Sequence, residues 1–407
     1  MEEGDTGRGL PAVVVLSPRG TETAGCFRFA ALVKAPDGEI VSLALDQDFM
    51  RRALRLAERG RGATRPNPIV GAVVVSGGRV VGEGWHRAAG LPHAEALALA
   101  RAGARAGGGT LYVTLEPCAH HGRTPPCVDA IVAAGIRRCV VAMRDPHRIV
   151  NGRGLRRLRS SGVRVVTGVL GNEARQMLAG YVRAHERGLP RVTWKVATTL
   201  DGKVADGRGR SRWITGPAAR AEVHRMRAAA DAIVIGSGTA RADDPRLTVR
   251  GTRRRAPQPL RVVCDSRLRL PLTLRLFRRP LARGTVVACR NDAPARKAME
   301  LERCGVAVWR LPATRGGVSP RAVARRLASA GCHDVLLEAG PRLGTAWMRA
   351  GLVDRVAWFV APKLLGEPGI PWCGPLGRVS LSRALPGRIQ RLKRCGADAS
   401  ITLELEA

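Results

Sequence analysis

Two short segments decide the reading: P-H-A-E at residues 92–95 and, past a glycine-rich turn and an apolar run, E-P-C-A-H-H-G-R-T-P-P-C at residues 116–127. One imidazole (His93) and two thiolates (Cys118, Cys127) form a donor set suited to zinc, Zn2+. Three protein ligands leave a fourth tetrahedral position open, as catalytic rather than structural zinc requires. Glu95 need not bind the ion. Beside a site that acidifies water towards a pKa of ~7, it is placed to carry protons as the catalytic carboxylate. A structural site would need a fourth ligand, for which His120 and His121 are the candidates; both are assigned here to substrate or solvent.

The surrounding pattern alternates between strand and helix. Apolar residues at helical spacing (Met50, Ala53, Leu54, Leu56, Ala57) predict a helix over residues 49–61 ending at Gly60. Residues 65–75 turn into a buried strand, and residues 80–86 form its hairpin partner. A helix starting at Pro92 carries His93 and Glu95 in its first turn. Residues two apart do not share a helix face, but at an N-terminus both can project beyond the helix end, where the dipole favours anionic groups. L-Y-V-T-L (111–115) is a strand delivering Glu116, Pro117 and Cys118. A helix over 128–135, a strand over 137–143 with Cys139 in its core, a strand over 162–170 and a helix over 172–186 complete a three-layer α/β domain.

At 407 residues the chain exceeds one ordinary core, so two domains are expected. No apolar run approaches the ~18 residues of a membrane span, and M-E-E-G-D lacks a basic secretory n-region. Ten scattered cysteines, two of them in the motif, suit reduced thiols and a cytoplasmic location. The formal net charge of +35 is nearly all arginine. It attracts phosphate, but the arginines form no tail or stripe and aromatic residues are few, so no nucleic-acid partner is expected.

The second half, from the segment R-G-L-P (187–190), contains a buried strand with a D-G turn (193–205) and S-R-W-I-T-G (211–216), which opens a helix with Thr215 as N-cap. D-V-L-L-E-A-G-P-R-L-G (334–344) runs from strand to helix, and such a helix start can cradle phosphate. No G-x-G-x-x-G is present, so the standard dinucleotide fingerprint is absent.

The H-x-E … P-C … C arrangement resembles the zinc-dependent cytidine deaminase superfamily, in which the glutamate shuttles protons to the departing amine. Its long form, E-P-C-x-H-x-G-R-T-P-P-C, is similar to the deaminase half of the bifunctional deaminase/reductase family of riboflavin biosynthesis. In the second half, A-T-T-L-D-G-K, W-I-T-G, G-T-x-x-x-D-D-P-x-L-T-x-R and L-L-E-A-G-P-x-L-G resemble the reductase half. The resemblance runs from about Asp46 to the C-terminus. It implies a cytidine-deaminase-like three-layer α/β/α domain over residues 46–188, then a dihydrofolate-reductase-like α/β domain over 189–407. Residues 1–45 are an unassigned leader, either disordered or upstream of a misassigned start.

The resemblance also implies roles. Asn67 would contact the substrate in the first domain. Ala197, Trp213, Thr239, Asp243 and the turn Gly340, Pro341, Arg342, Leu343 and Gly344 would contact NADPH. Ser211, Arg227, Leu247, Arg250 and Glu338 would contact the phosphoribosyl substrate. The implied reaction is zinc-dependent hydrolytic deamination of 2,5-diamino-6-(5-phosphoribosylamino)pyrimidin-4(3H)-one. NADPH then reduces the ribosyl group to ribityl, giving 5-amino-6-(5-phosphoribitylamino)uracil. The partner is this phosphorylated pyrimidine, and a homo-oligomer stays open. One segment departs from the family: in D-P-H-R-I-V-N-G-R-G (145–154), His147, Arg148 and Asn151 stand where asparagine, proline and alanine are usual, which bears on substrate contacts rather than zinc. Two rivals stand beside this reading, a deaminase of nucleic-acid bases and a degenerate paralogue.

Overall fold

The computed structural model describes residues 32–34, 40–122, 124–251, 257–378 and 380–406. Residues 1–31 and 35–39, most of the leader, lie outside the described residues. Two compact units emerge: Met1–Gly60 with Ile69–Met177, and Arg61–Pro68 with Leu178–Ala407. Strands are numbered below within the one large sheet of each unit.

The first unit runs α1 (Leu43–Ala57), β1 (Gly71–Ser76), β2 (Arg79–Trp85), α2 (Ala94–Ala102), β3 (Thr110–Val113), α3 (Cys127–Ala133), β4 (Arg138–Val141), α4 (Arg153–Ser160), β5 (Arg164–Thr167) and α5 (Gly171–Met177). The sheet order is β2-β1-β3-β4-β5. β1 is antiparallel to both neighbours, and β3, β4 and β5 are parallel. Side chains alternate across a strand, so each strand feeds two cores. Ala72, Val74, Leu111, Val113, Cys139 and Val141 pack with α2, α3 and α4. Val73, Val75, Tyr112 and Val140 pack with α1 and α5. Helices on both faces make the three layers that the alternation predicts.

A buried ion pair fastens α1 to the sheet. Arg138 donates to both carboxylate oxygens of Asp46 (2.9 and 2.6 Å), and the Tyr112 hydroxyl adds a third bond (2.7 Å). Burial, with the Asp46 bond, pushes the Tyr112 phenol above its ordinary range, so it remains a donor. Removing one partner of such a pair costs about 3–5 kcal/mol, because the other charge is left buried alone.

The second unit continues with α6 (Ala179–Arg187), β6 (Arg191–Thr199), α7 (Pro217–Ala229), β7 (Ala232–Gly236), α8 (Ser237–Asp243), β8 (Leu260–Cys264), β9 (Thr285–Arg290), α9 (Ala295–Arg303), β10 (Ala307–Leu311), α10 (Pro320–Ser329), β11 (Asp334–Leu337), α11 (Pro341–Arg349), β12 (Arg355–Ala361), β13 (Gly387–Cys395) and β14 (Asp398–Leu405). The sheet order is β10-β9-β8-β7-β11-β6-β12-β14-β13. Strands β10 through β12 in that order are parallel, and β14 and β13 close the edge antiparallel. β11 and β6, side by side at the centre, carry Glu338 just beyond Leu337 and Lys195 just beyond Trp194, with Leu337 opposite Trp194.

Two local expectations change. The helix expected over 172–186 is two helices interrupted at Leu178 (φ −97°, ψ 14°). The break lets Gly180 sit so close to the His333 carbonyl that a Cβ would come within 2.7 Å of it. Thr215 does not cap α7; Gly216 is the N-cap, and its N–H is taken by the Asp398 carboxylate at 2.7 Å.

Candidate active sites

In the first unit, the metal-site candidates are placed by glycines on the neighbouring strand. Gly82 and Gly84 project from β2 towards α2, and a Cβ on either would lie 2.1 Å from the Ala98 carbonyl or 2.2 Å from that of Ala94. Helix α2 therefore rests backbone to backbone on the strand. That contact fixes where His93, its N-cap, and Glu95, in its first turn, can stand. His86 supports the same corner: its Nδ1 donates to the Pro92 carbonyl at 3.3 Å, and its ring meets His93 edge-on at 5.3 Å between centroids. A carbonyl can only accept, so the proton is on Nδ1 of His86.

The ligand atoms of His93, Cys118 and Cys127 all lie within 4.8 Å of one another. His93 Nδ1 is 3.2 Å from the Cys127 sulfur and 3.6 Å from that of Cys118. A tetrahedron with Zn–N and Zn–S bonds of about 2.0 to 2.3 Å has edges of about 3.3 to 3.8 Å, so the donors fit that ion. Among the described residues no other group of His, Cys, Asp or Glu gathers in this way. His120 and His121 are exposed, and Arg123 between them and Cys127 lies outside the described residues. The bond from Cys127 holds the Cys118 thiol down to about 4, and Cys127, giving that bond, is pushed up. A dication between them favours the thiolate of both. Glu95 is 4 % exposed; burial pushes its carboxyl above the ordinary range, with His93 acting against the rise.

The E-P-C segment holds a second buried carboxylate. Glu116 Oε2 accepts the N–H groups of Asp145 (3.2 Å) and Gly152 (2.8 Å), and Oε1 those of Gly154 (3.0 Å) and Leu155 (3.3 Å). All four belong to the divergent loop 145–154 or the first turn of α4. His147 of that loop lies near enough to His120 for their charges to interact, and burial holds its imidazole below the ordinary range.

In the second unit a charged cluster lies between β6, β11 and α7. Arg227 grips Glu338 with two bonds, Nε to Oε1 at 2.6 Å and Nη2 to Oε2 at 2.8 Å, and its Nη1 reaches the Thr248 carbonyl at 3.3 Å. Burial opposes ionisation of Glu338, but the bonds from Arg227 and the charges of Arg227 and Lys195 outweigh it, so the carboxyl titrates below its usual range. Burial pushes the Lys195 ammonium below the ordinary lysine range, against the attraction of Glu338 and Asp243. Nearby, Thr239 on α8 faces the start of α11: a Cβ on Gly340 would lie 3.9 Å from the Thr239 hydroxyl. Leu343 lies against Gly236 at the end of β7.

Residues 43–143 match the family of the cytidine and deoxycytidylate deaminase zinc-binding region, and residues 190–398 match the RibD C-terminal domain. The riboflavin biosynthesis protein RibD of Escherichia coli is 40% identical over 369 residues, covering 88% of this chain and 99% of the relative. The RibD of Aquifex aeolicus is 40% identical over 357 residues, with 88% and 98% covered. The chain belongs to the RibD family. A solved structure of RibD from Acinetobacter baumannii superposes with a TM-score of 0.83 at 37% identity, covering 90% of this chain and all of that one. A deaminase/reductase from Thermotoga maritima gives 0.77 at 32% identity, with 89% and 99% covered. The chain thus joins a zinc-binding deaminase domain to a RibD reductase domain that uses NADPH.

Against this RibD frame the expected contacts differ in where they lie. Arg227, Glu338 and Asp243 come together around Lys195, and Thr239 meets Gly340 and Leu343. Ser211 and Trp213 are exposed, with the Arg220 guanidinium 4.5 Å over the Trp213 ring; Arg250 is exposed and its N–H donates to His224 Nδ1 at 3.3 Å. Pro341 and Arg342 open α11, and Ala197 lies on β6 at the rim of an apolar cluster. Leu247 and Gly344 face inward. Leu247 is buried in the core at a left-handed φ of 51°, so only its backbone can meet a ligand. The space beside Gly344 is filled by Trp194, 1.9 Å from where a Cβ would stand. Asn67 lies in Arg61–Pro68, part of the second unit.

Sequence reasoning missed two functional candidates in this RibD chain, Lys195 and Glu116. A lone lysine inside the apolar strand V-T-W-K-V-A was the signal for the first. The second stands in the E-P-C motif, but its partners, 29 to 39 residues away, gave it no legible role.

Proposed function

We propose that this chain deaminates the diaminopyrimidine phosphoribosyl substrate in its first unit and reduces the ribosyl group of the product in its second. The observation that carries the reading is the meeting of His93, Cys118 and Cys127 at tetrahedral spacing beside a buried glutamate. Zinc, when held by those three, supplies Lewis acidity in a site with one open position. Glu95 takes a proton from the attacking water and delivers it to the departing amine, so that C–NH2 and water become C=O and ammonia. Asn67 is assigned to the pyrimidine.

In the second unit NADPH, when bound, supplies the hydride. The residues Ala197, Trp213, Thr239, Asp243 and 340–344 are assigned to the cofactor, the last through the N-terminus of α11. Ser211, Leu247 and Arg250 are assigned to the phosphoribosyl group. Adding hydride to the sugar carbon calls for one proton at the heteroatom that leaves it, and Lys195 is the donor. Glu338, held by Arg227, faces the same place and orients the sugar hydroxyls. Burial at Lys195 supports this, because a lysine of lowered pKa gives up its proton more readily.

This reading is of a cytoplasmic enzyme acting on a small phosphorylated pyrimidine, with no membrane or nucleic acid as partner. Among the described residues no helix is long and apolar enough to cross a membrane, and the cysteines are free. The test follows ammonia release and NADPH oxidation in one tube, with and without a chelator. Both signals are expected; a chelator should stop both when the diaminopyrimidine is the substrate and leave NADPH oxidation intact when deaminated substrate is supplied. Neither signal would overturn the assignment, and ammonia without NADPH oxidation would overturn its second half.

A further inference from the structure

We infer that Glu116 is a positioning residue of the deaminase: its carboxylate pins the loop 145–154 to the segment that carries Cys118, and so sets the fit of substrate rather than the binding of metal. The inference rests on the deaminase reading above. Glu116 is 4 % exposed, and its carboxylate accepts four backbone N–H groups. Four such donors saturate the lone-pair directions of a carboxylate. Hydrogen bonds to an ionised acceptor are about twice as strong as neutral ones. One side chain therefore gathers both ends of the loop, at Asp145 and at Gly152 to Leu155, onto the residue two before Cys118.

The loop also carries closures of its own: the Asp145 carboxylate accepts the His147 N–H at 2.8 Å, His147 Nδ1 accepts the Ile149 N–H at 3.2 Å, and Arg144 reaches the Asn151 carbonyl at 2.8 Å. Beyond Glu116, α4 rests on the Pro117 carbonyl at Gly154, where a Cβ would lie 2.0 Å away, and Arg157 reaches the Ala119 carbonyl at 3.4 Å. The backbone amides held by Glu116 are indifferent to the side chains at 147, 148 and 151. That explains how the loop can carry His147, Arg148 and Asn151 and still keep its place. Metal ligation, by contrast, depends on His93, Cys118 and Cys127, whereas the Glu116 carboxylate bonds to Asp145, Gly152, Gly154 and Leu155.

The test is Glu116→Gln in the full-length, zinc-loaded protein. Glutamine keeps one acceptor oxygen and turns an NH2 towards two of the amides. The expected result is a rise in deaminase KM of about tenfold or more with a smaller change in kcat. Zinc content stays at the wild-type level, NADPH oxidation with deaminated substrate is unchanged, and hydrogen exchange speeds up at Asp145, Gly152, Gly154 and Leu155. Gly152→Ala attacks the clamp from the loop side, because Gly152 has a φ of 82° and its Cβ would lie 2.6 Å from Arg144. The double variant is expected to be no worse than the poorer single one. Wild-type KM and amide protection in Glu116→Gln would overturn the inference, as would joint loss of zinc and reductase activity. If the wild-type protein released no ammonia at all, the deaminase reading would fail, while amide exchange would still decide whether Glu116 holds the loop.

Discussion

In the first unit His93 and Glu95 stand at the start of a helix, α2, pressed against the sheet at Gly82 and Gly84. In the second the corresponding side chains stand on or just past central strands: Lys195 within β6, Glu338 beyond β11. The contrast follows from what each site must hold. A metal site needs three donors at fixed separations of a few ångströms, so rigid backbone contact is worth its steric demands. A hydride-transfer site leaves the chemistry to a cofactor and needs a proton donor and an electrostatic setting, the roles proposed above for the half-buried cluster of Lys195, Glu338 and Arg227. One unit is specified by geometry, the other by charge.

The largest expected effect separates the units outright. Cys118→Ser, or chelation of the native protein, should abolish ammonia release and leave NADPH oxidation with deaminated substrate intact; parallel loss of both would break the contrast. Next come the proton carriers. Glu95→Gln should lower deaminase kcat by about 10²–10⁴ with zinc retained, and Lys195→Met should do the same to the reductase alone. For the native reductase, activity should fall with rising pH at a value below the ~10.4 of free lysine, because burial lowers the Lys195 pKa. An alkaline limb unchanged in Lys195→Arg would remove that lysine from the reaction.

Smaller effects sharpen the same comparison. Gly84→Ala and Gly344→Ala each force a methyl into occupied space, against the Ala94 carbonyl or the Trp194 ring. Each should destabilise its own unit by about 1–3 kcal/mol, seen in thermal unfolding. Only Gly84→Ala should weaken zinc retention. The smallest effect concerns charge in the second unit. Burial and the repulsion of Asp334 push the Asp231 carboxyl up to about 6. The folded state therefore holds a proton that the unfolded chain has released, and stability falls as pH rises from about 4 towards 6. Asp231 Oδ2 accepts the His333 and Asp334 N–H groups at 2.8 and 2.9 Å, bonds that an asparagine oxygen can keep. Asp231→Asn should raise the melting temperature at pH 7 by a few degrees and flatten its fall between pH 4 and 6.

Much of the fold was legible because hydrophobic alternation and turn residues are local. The strand pair around residues 71–85 was visible in the chain itself, as were two helices: the one expected from Pro92 begins at Ala94 with His93 as its N-cap, and the one expected over 128–135 runs Cys127–Ala133. The metal set was legible because H-x-E and E-P-C place chemically distinctive residues a few positions apart. What escaped depends on distant partners. Asp46 meets Arg138 across 92 positions, Glu116 meets a loop some 30 positions on, and Arg227 meets Glu338 across 111. No local pattern names such a partner. The break at Leu178 escaped for a related reason: periodicity continues through it, and only the close approach of Gly180 to the strand at His333 requires it.

The backbone contact of α2 on Gly82 and Gly84 also bears on how this enzyme can evolve. A helix seated without side chains between it and the sheet cannot be tilted by small substitutions, since every one adds atoms where there is no room. In the loop at residues 145–154, by contrast, side chains can change without disturbing the amides that hold it. The departures at His147, Arg148 and Asn151 lie in that segment, where sequence drift costs the catalyst least.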